Sequence, residues 1–196
     1  MTTDVASASS AGAASLPEPG TYAIDGIHSF VQFAVRHMGV VWARGIASGP
    51  TGKITVAENP ADSKVEASID ASTVTSGNPM RDNELRSEKV LDVEKFPTIE
   101  FVSSSLKPSG DGRFALDGQL TMHGITRPVT LDVTFGGHLV DTWNKKRLGV
   151  TATTEIHRND FDIGTFGSMP LSTGAIMVPD NVTITLEIEA TKEEAG

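Results

Sequence analysis

The sequence predicts an all-β domain: about eight long antiparallel strands, closed into a barrel or folded as a sandwich. Three observations carry this reading. Apolar residues recur at every second position over several long segments, turn-type sequences separate those segments, and only one short stretch has helical character. Strict alternation marks a sheet with one dry and one wet face, which antiparallel sheets carry and doubly buried parallel sheets do not.

Residues 1–19 contain no Lys or Arg and no continuous apolar run. They read as a small-residue disordered tail rather than a secretory signal. The β-domain is expected over 20–192. Its first stave is 20–24 together with 29–38, and the next is 43–56. In 64–74, Val65, Ala67, Ile69 and Ala71 oppose Glu66, Ser68 and Asp70. The segment 76–92 breaks the alternation and predicts a short helix near 79–91. Asn78 suits the cap, Pro79 the first turn, and Asp82 and Arg86 an i,i+4 pair. Such a helix could close one end of a barrel. Strands then follow at 98–107, 113–122 (Phe114, Leu116, Gly118, Leu120, Met122 on one face) and 127–136 (Val129, Leu131, Val133, Phe135). The last two are 147–157 (Leu148, Val150, Ala152, Thr154, Ile156) and 181–191 (Val182, Ile184, Leu186, Ile188).

Composition excludes several functions. The net charge of −9 comes without a basic block, since the single basic run, Lys145–Arg147, sits in a loop beside Trp143. Nucleic acids and anionic membrane surfaces both require clustered Lys and Arg, so neither is an expected partner. The absence of Cys removes disulfides, thiolate metal sites and a Cys nucleophile. No segment approaches the roughly 18 apolar residues of a membrane span. The expected compartment is the cytoplasm, with an exported mature form as the alternative.

The stretch "DGIHSFVQFAVRHMG" (25–39) holds the residue types of a nucleophilic triad and two potential metal ligands. On one strand, His28 and His37 point to opposite faces and lie on the order of 30 Å apart, too far to share an ion. Adjacent His28 and Ser29 also face opposite ways, and there is no G-x-S-x-G elbow. Asp25 and His28 therefore read as a turn before the strand. His37 differs, because it extends the apolar face of Val31, Phe33 and Val35 to the strand end. His123, His138 and His157 fall in or near loops without ligand spacing, so no metal, cofactor or catalytic residue is expected. The dry faces carry many small residues, and only 6% of the chain is aromatic. A closed barrel of about eight strands can then hold one small ligand, unless loops and the helix fill it.

Four segments, in order, resemble the YceI-like family: "YAIDGIHSFVQFAVRHMGVVWARGIASGPTGKI", "RDNELRSEKVLDVEKFPTIEF", "DGQLTMHGITRPVTLDVTF" and "HRNDFDIG". The resemblance implies an eight-stranded antiparallel lipocalin-like barrel that binds a long isoprenoid lipid, of isoprenoid quinone or polyprenyl type, or another amphiphile. No cofactor-driven chemistry is implied. Its expected role is binding, storage or transport without catalysis, and a homodimer is an allowed assembly. The candidate apolar lining is Val31, Phe33, Val35, Ile69, Leu116, Leu120, Leu131, Phe135, Val150, Ile156, Ile184 and Leu186. His37, Arg81 and Arg158 match family motifs and are the headgroup candidates. The alternatives are a hydrolase or isomerase of lipid headgroups using His37, and a structural stress-response barrel without ligand. The Gly- and Met-containing stretch before the last strand is expected to shape the barrel mouth.

Overall fold

The computed structural model describes residues 16–164, 168 and 170–194. Among them, ten strands form one antiparallel sheet. They are β1 (Gly20–Ile24), β2 (Phe30–His37), β3 (Val41–Ser48), β4 (Thr51–Val56), β5 (Lys64–Asp70), β6 (Thr98–Gly110), β7 (Arg113–Met122), β8 (Ile125–Val140), β9 (Lys146–His157) and β10 (Asn181–Lys192). Helix α1 spans Pro79–Arg86, and 3-10 turns occupy Pro60–Asp62, Ala71–Thr73 and Arg158–Phe161.

The sheet closes because β1 pairs with both β4 and β10, giving the ring β1-β4-β5-β6-β7-β8-β9-β10. That ring is a closed eight-stave antiparallel barrel. Strand β10 serves two neighbours along one edge: Ala190–Lys192 pairs with β1, and Thr183–Glu187 pairs with β2. Strands β2 and β3 thus continue the staves that β1 and β4 begin. The segments 20–24 with 29–38, and 43–56, each supply one stave in two pieces.

Both staves break where the sequence is polar or rich in Gly and Pro. At the first break, Asp25 accepts the Ile27 N–H (3.0 Å) and pairs with His28 Nδ1 (2.9 Å). Ser29 is buried. Its hydroxyl donates to the Glu189 carbonyl and accepts the Glu189 N–H, so the stave is re-attached to β10. The second break is Gly49–Pro50. A Cβ on Gly26 would stand 2.9 Å from the Pro50 carbonyl oxygen, so glycine lets the two breaks pack directly on each other.

One end of the barrel is filled. Tyr22, Leu148 and Ala190 pack with Ile54, Val56, Phe135 and Val150. Above them, Phe101, Leu116, Leu131 and Ala152 form a second layer. An extra residue at Ser104 in β6 resets the alternation, so that both Phe101 and Leu106 face inward. The Phe101 ring lies over Gly118 of β7, where a Cβ would approach its Cζ to 2.4 Å.

Residues 1–15 of the expected tail lie outside the described residues. Residues 16–19 lie against the barrel, where Glu18 bonds Lys146 and Lys192 and its carbonyl accepts the Tyr22 hydroxyl. Helix α1 begins as expected, with the Asn78 carboxamide oxygen accepting the Met80 and Arg81 N–H groups. It stops at Arg86 rather than near 91, because the chain turns at Ser87 and folds back so that Leu91 N–H bonds the Leu85 carbonyl. No helix among the described residues is long and apolar enough to cross a membrane.

The Phe101–Gly118 contact generates a test. Gly118→Ala drives a methyl into the ring and towards the Val102 carbonyl, and is expected to cost roughly 1–3 kcal/mol of stability by urea denaturation.

Candidate functional site

The other half of the barrel is hollow. Its inward side chains enclose a cavity of about 690 Å³. Alternation places Val31, Phe33 and Val35 of β2 on one wall. Leu120 of β7, Leu131 of β8, Ile156 of β9 and Ile184 and Leu186 of β10 form others, with Ile69 from β5. Leu85, Val90 and Leu91, from α1 and the turn after it, complete the enclosure. Nine of the twelve candidate apolar residues therefore line the cavity. The other three do not: Phe135 and Val150 pack in the filled end, and Leu116 lies in the layer beneath the cavity floor. They share the inward face but sit at the wrong depth.

The cavity meets solvent at the side of the barrel. The bridge Ile46–Thr75 joins β3 to the chain beyond β5, with N–H···O distances of 2.8 and 2.9 Å. Past that bridge towards the hairpin tip, β3 has no further strand neighbour among the described residues. Trp42, Ala43 and Arg44 line the cavity from this free edge, and Ser76, Arg81 and Glu84 line it from α1 and its approach. The mouth is the gap between them. Met177 and Val178, from the stretch expected to shape it, also line the cavity, and the Met177 carbonyl accepts the Met38 N–H at the hairpin tip.

All three headgroup candidates border the cavity, but in different states. His37 ends the apolar face of β2, and no carboxylate hydrogen-bonds it among the described residues. Arg81 is held beside the mouth by the Ser76 hydroxyl (2.7 Å) and the Ser76 carbonyl (3.3 Å), leaving donors uncommitted. Arg158 is buried and fully engaged. It donates to the carbonyls of Pro179, Val178, Ile163 and Gly164 and to the Ser168 hydroxyl. Those five bonds use all five donors of a guanidinium. Burial pulls its pKa down, and Asp180 acts in the opposite sense. Arg158 thus ties the 3-10 turn after β9 to the segment before β10.

Sequence reasoning did not find Arg44, Ser76 or Glu84. Arg44 alternates to the outer face of β3 and reaches the cavity only because that strand is an edge there. Ser76 works through Asp82. The buried Asp82 carboxylate accepts from the Ser76 hydroxyl, the Thr75 hydroxyl and the Ser76 N–H, which hold its pKa down to about 2. The expected Asp82–Arg86 pairing gives way to this, and Arg86 donates to the Val74 carbonyl. Both residues clamp α1 to the chain that leads into it.

At the filled end, Asp25, His28 and Glu189 bring their ligand atoms within 4.8 Å of one another. Arg147 already spans two of them, bonding Asp25 (2.9 Å) and Glu189 (2.5 Å), as well as Asp141 (2.6 Å). The His28 hydrogen bond, followed by Arg147, holds the Asp25 carboxyl at about 2. The arrangement neutralises charge at the stave break.

Comparison with known proteins agrees with this architecture. The model of the YceI-like domain matches residues 22–190. Protein YceI of Salmonella arizonae is 40% identical over 147 residues, covering 74% of this chain and 76% of the relative. A UPF0312 protein of Pseudomonas putida is 38% identical over 145 residues, covering 72% and 76%. Among solved structures, BcnA of Burkholderia cenocepacia superposes with a TM-score of 0.74 at 21% identity, over 86% of this chain and 99% of its own. A polyisoprenoid binding domain from Saccharophagus degradans gives 0.64 at 14% identity, over 90% and 100%. Both structures share the fold.

Two outcomes test the site geometry. Arg158→Ala strands four carbonyls and should cost at least about 3 kcal/mol in chemical denaturation. Arg158→Lys should recover little, because a point ammonium cannot reproduce the planar fork. Asp82 is held well below the roughly 3.9 of an unfolded aspartate. Its contribution is therefore complete above about pH 4 and is lost as pH falls towards 2. Amide exchange over residues 75–86 should show protection retained at pH 4 and eroding below it, and Asp82→Asn should weaken that protection even at neutral pH.

Proposed function

Because this chain belongs to the YceI-like family, we propose that its barrel binds a long-chain isoprenoid lipid, of isoprenoid quinone or polyprenyl type, and stores or carries it without chemical change. The observation that carries the reading is the cavity: about 690 Å³, walled mainly by apolar side chains and floored by packed ones, with Arg44, Ser76, Arg81 and Glu84 at its mouth. Pockets of roughly 300–1,000 Å³ with a few convergent polar groups are typical of small-molecule sites. A hydrocarbon tail gains about 0.8 kcal/mol for each CH₂ removed from water, so ten buried carbons contribute on the order of 8 kcal/mol before ordering costs. Binding of this kind needs few polar contacts. The solved fold relative described as a polyisoprenoid binding domain supports the same ligand class.

In this reading, the nine cavity-lining apolar candidates hold the tail, and His37 and Arg81 meet the headgroup, with Arg44 added to them. Arg158 fixes the wall instead. A carrier is favoured over a headgroup hydrolase or isomerase because His37 has no hydrogen-bonded carboxylate among the described residues to form an acid–base pair. A ligand-free structural barrel would be expected to fill this volume.

Mass spectrometry of organic extracts from the purified protein should find a polyisoprenoid in near-stoichiometric amount. Ile184→Trp, which fills the cavity from β10, should lower that amount roughly tenfold or more while the circular dichroism spectrum is retained. A protein that carries no isoprenoid and takes up no isoprenoid quinone from detergent solution would sink the proposal.

A further inference from the structure

The two ends of the barrel treat exposed apolar and cationic residues differently. At the filled end, Leu139, Val140 and Trp143 are exposed, but the three cations that follow them, Lys145, Lys146 and Arg147, are matched. Lys145 pairs with Glu194, Lys146 with Glu18, and Arg147 with three carboxylates. At the mouth the cations are unmatched. Arg36, Arg44 and Arg81 form no ion pair with a carboxylate among the described residues. Arg36 and Arg44 instead stand over the Trp42 ring, 5.2 and 5.9 Å from its centre.

The hairpin between β2 and β3 adds apolar surface beside those cations. It turns through Met38 and Gly39, both with positive φ (52° and 72°), and the Val40 N–H closes onto the His37 carbonyl. Such a turn ordinarily favours Asn or Asp with Gly, and a bulky Met there breaks the local rule. The result is a tip with Val40 79% exposed and Trp42 42% exposed, while Met80 is 84% exposed on the first turn of α1, the helix that borders the other side of the mouth. An indole at an apolar tip flanked by cations is the pattern of residues that settle at a bilayer interface.

We propose that the β2–β3 tip and the start of α1 dock reversibly on an anionic lipid bilayer, seating the cavity mouth on the membrane. The proposal rests on the lipid-binding reading above, because a long isoprenoid has negligible solubility as a monomer and must pass between bilayer and cavity with little exposure to water. A second copy fits this face poorly, since it would set Arg36, Arg44 and Arg81 against the same residues. The chain's net charge of −9 opposes anionic surfaces overall, which makes docking orientation-specific: the mouth sets Arg36, Arg44 and Arg81, against the Glu84 carboxylate on its helix side, beside the apolar anchors Val40, Trp42 and Met80.

The two tryptophans stand at opposite ends of the barrel and report the orientation directly. In Trp143→Phe, the emission of Trp42 should shift to the blue on adding phosphatidylcholine vesicles that contain phosphatidylglycerol. In Trp42→Phe, that of Trp143 should not move. Flotation should be at least about tenfold stronger on these vesicles than on phosphatidylcholine alone, at roughly fivefold per surface arginine. Val40→Asp and Met80→Gln should each reduce flotation several-fold while uptake of an isoprenoid quinone from detergent solution is unchanged. No flotation of the parent chain, a response from Trp143 instead of Trp42, burial of Trp42 by self-association in lipid-free solution, or flotation indifferent to both variants would each overturn docking. Uptake from detergent tests the lipid-binding reading separately, so docking can fail while that reading stands.

Discussion

The architecture depends on β10 serving two partners along one edge. A strand of twelve residues pairs with β1 at one end and with β2 towards the other, and the stave opposite it must therefore break. The break is stabilised by polar contacts rather than left loose. Ser29 re-enters the ladder through both backbone groups of Glu189, and Asp25 is held by His28 and Arg147. Gly26 lets the neighbouring break at Pro50 come into direct contact. From this point the two-stave unit of β2 and β3 has no ladder with β5; β3 is tied to the chain beyond it by the Ile46–Thr75 bridge and by the Ser48 N–H on the Thr73 hydroxyl. Below the break the ring is ladder-closed and can be packed solid. Above it the ring is closed by a helix, one β-bridge and a side-chain hydrogen bond rather than by a ladder, and it is hollow.

The two halves also divide the charge. At the closed end, three basic residues in sequence meet carboxylates from the turn after β1, the β8–β9 turn, β10 and both terminal segments, so this basic run presents little free positive charge. Around the mouth the carboxylate nearest the helix start, Asp82, is spent on Thr75 and Ser76, and this in turn orients Ser76 towards Arg81. Arg158 sits in the hollow half but has no donor left for a ligand. Four carbonyls and a hydroxyl surround its guanidinium, which meets the cost of burying a charge locally. Position in a cavity wall and availability to a ligand are different properties, and the donor census separates them.

Much of this was legible in the sequence, and the limits have physical causes. Period-two patterning reports which face of a strand is dry, so it identified Val31, Phe33, Ile184 and Leu186 as inward residues. It reports nothing about depth along the barrel axis, which is why Phe135, Val150 and Leu116 fall in packed layers instead of the cavity. The staves 20–24 with 29–38, and 43–56, were readable as pairs of segments, but β10 sharing its edge between two strands is a long-range fact. The turn at Asp25 and His28 is local and was readable; its third and fourth members, Arg147 and Glu189, come from strands more than a hundred residues away. Arg44 escaped because alternation assigns it outward, and only the missing neighbour of β3 brings it to the mouth.

A hollow half has an energetic consequence for the whole barrel. Side chains around an unfilled apolar volume forgo dispersion contacts on one side, and the hydrophobic burial expected of a strand face is incomplete. The mouth elements are also tied without a ladder: one bridge and the Ser48–Thr73 hydrogen bond join β3 to the chain beyond β5, and α1 is clamped through side chains of Asp82 and Arg86. An apolar tail bound in the cavity would supply the missing contacts to β2, β7, β8 and β10 together with α1. It would thereby favour the folded state by mass action, most strongly in the half that the chain itself leaves unfilled. The same weak closure that makes this half dependent on a ligand gives the ligand its way in. A barrel laddered on every stave would be stabler empty and harder to load.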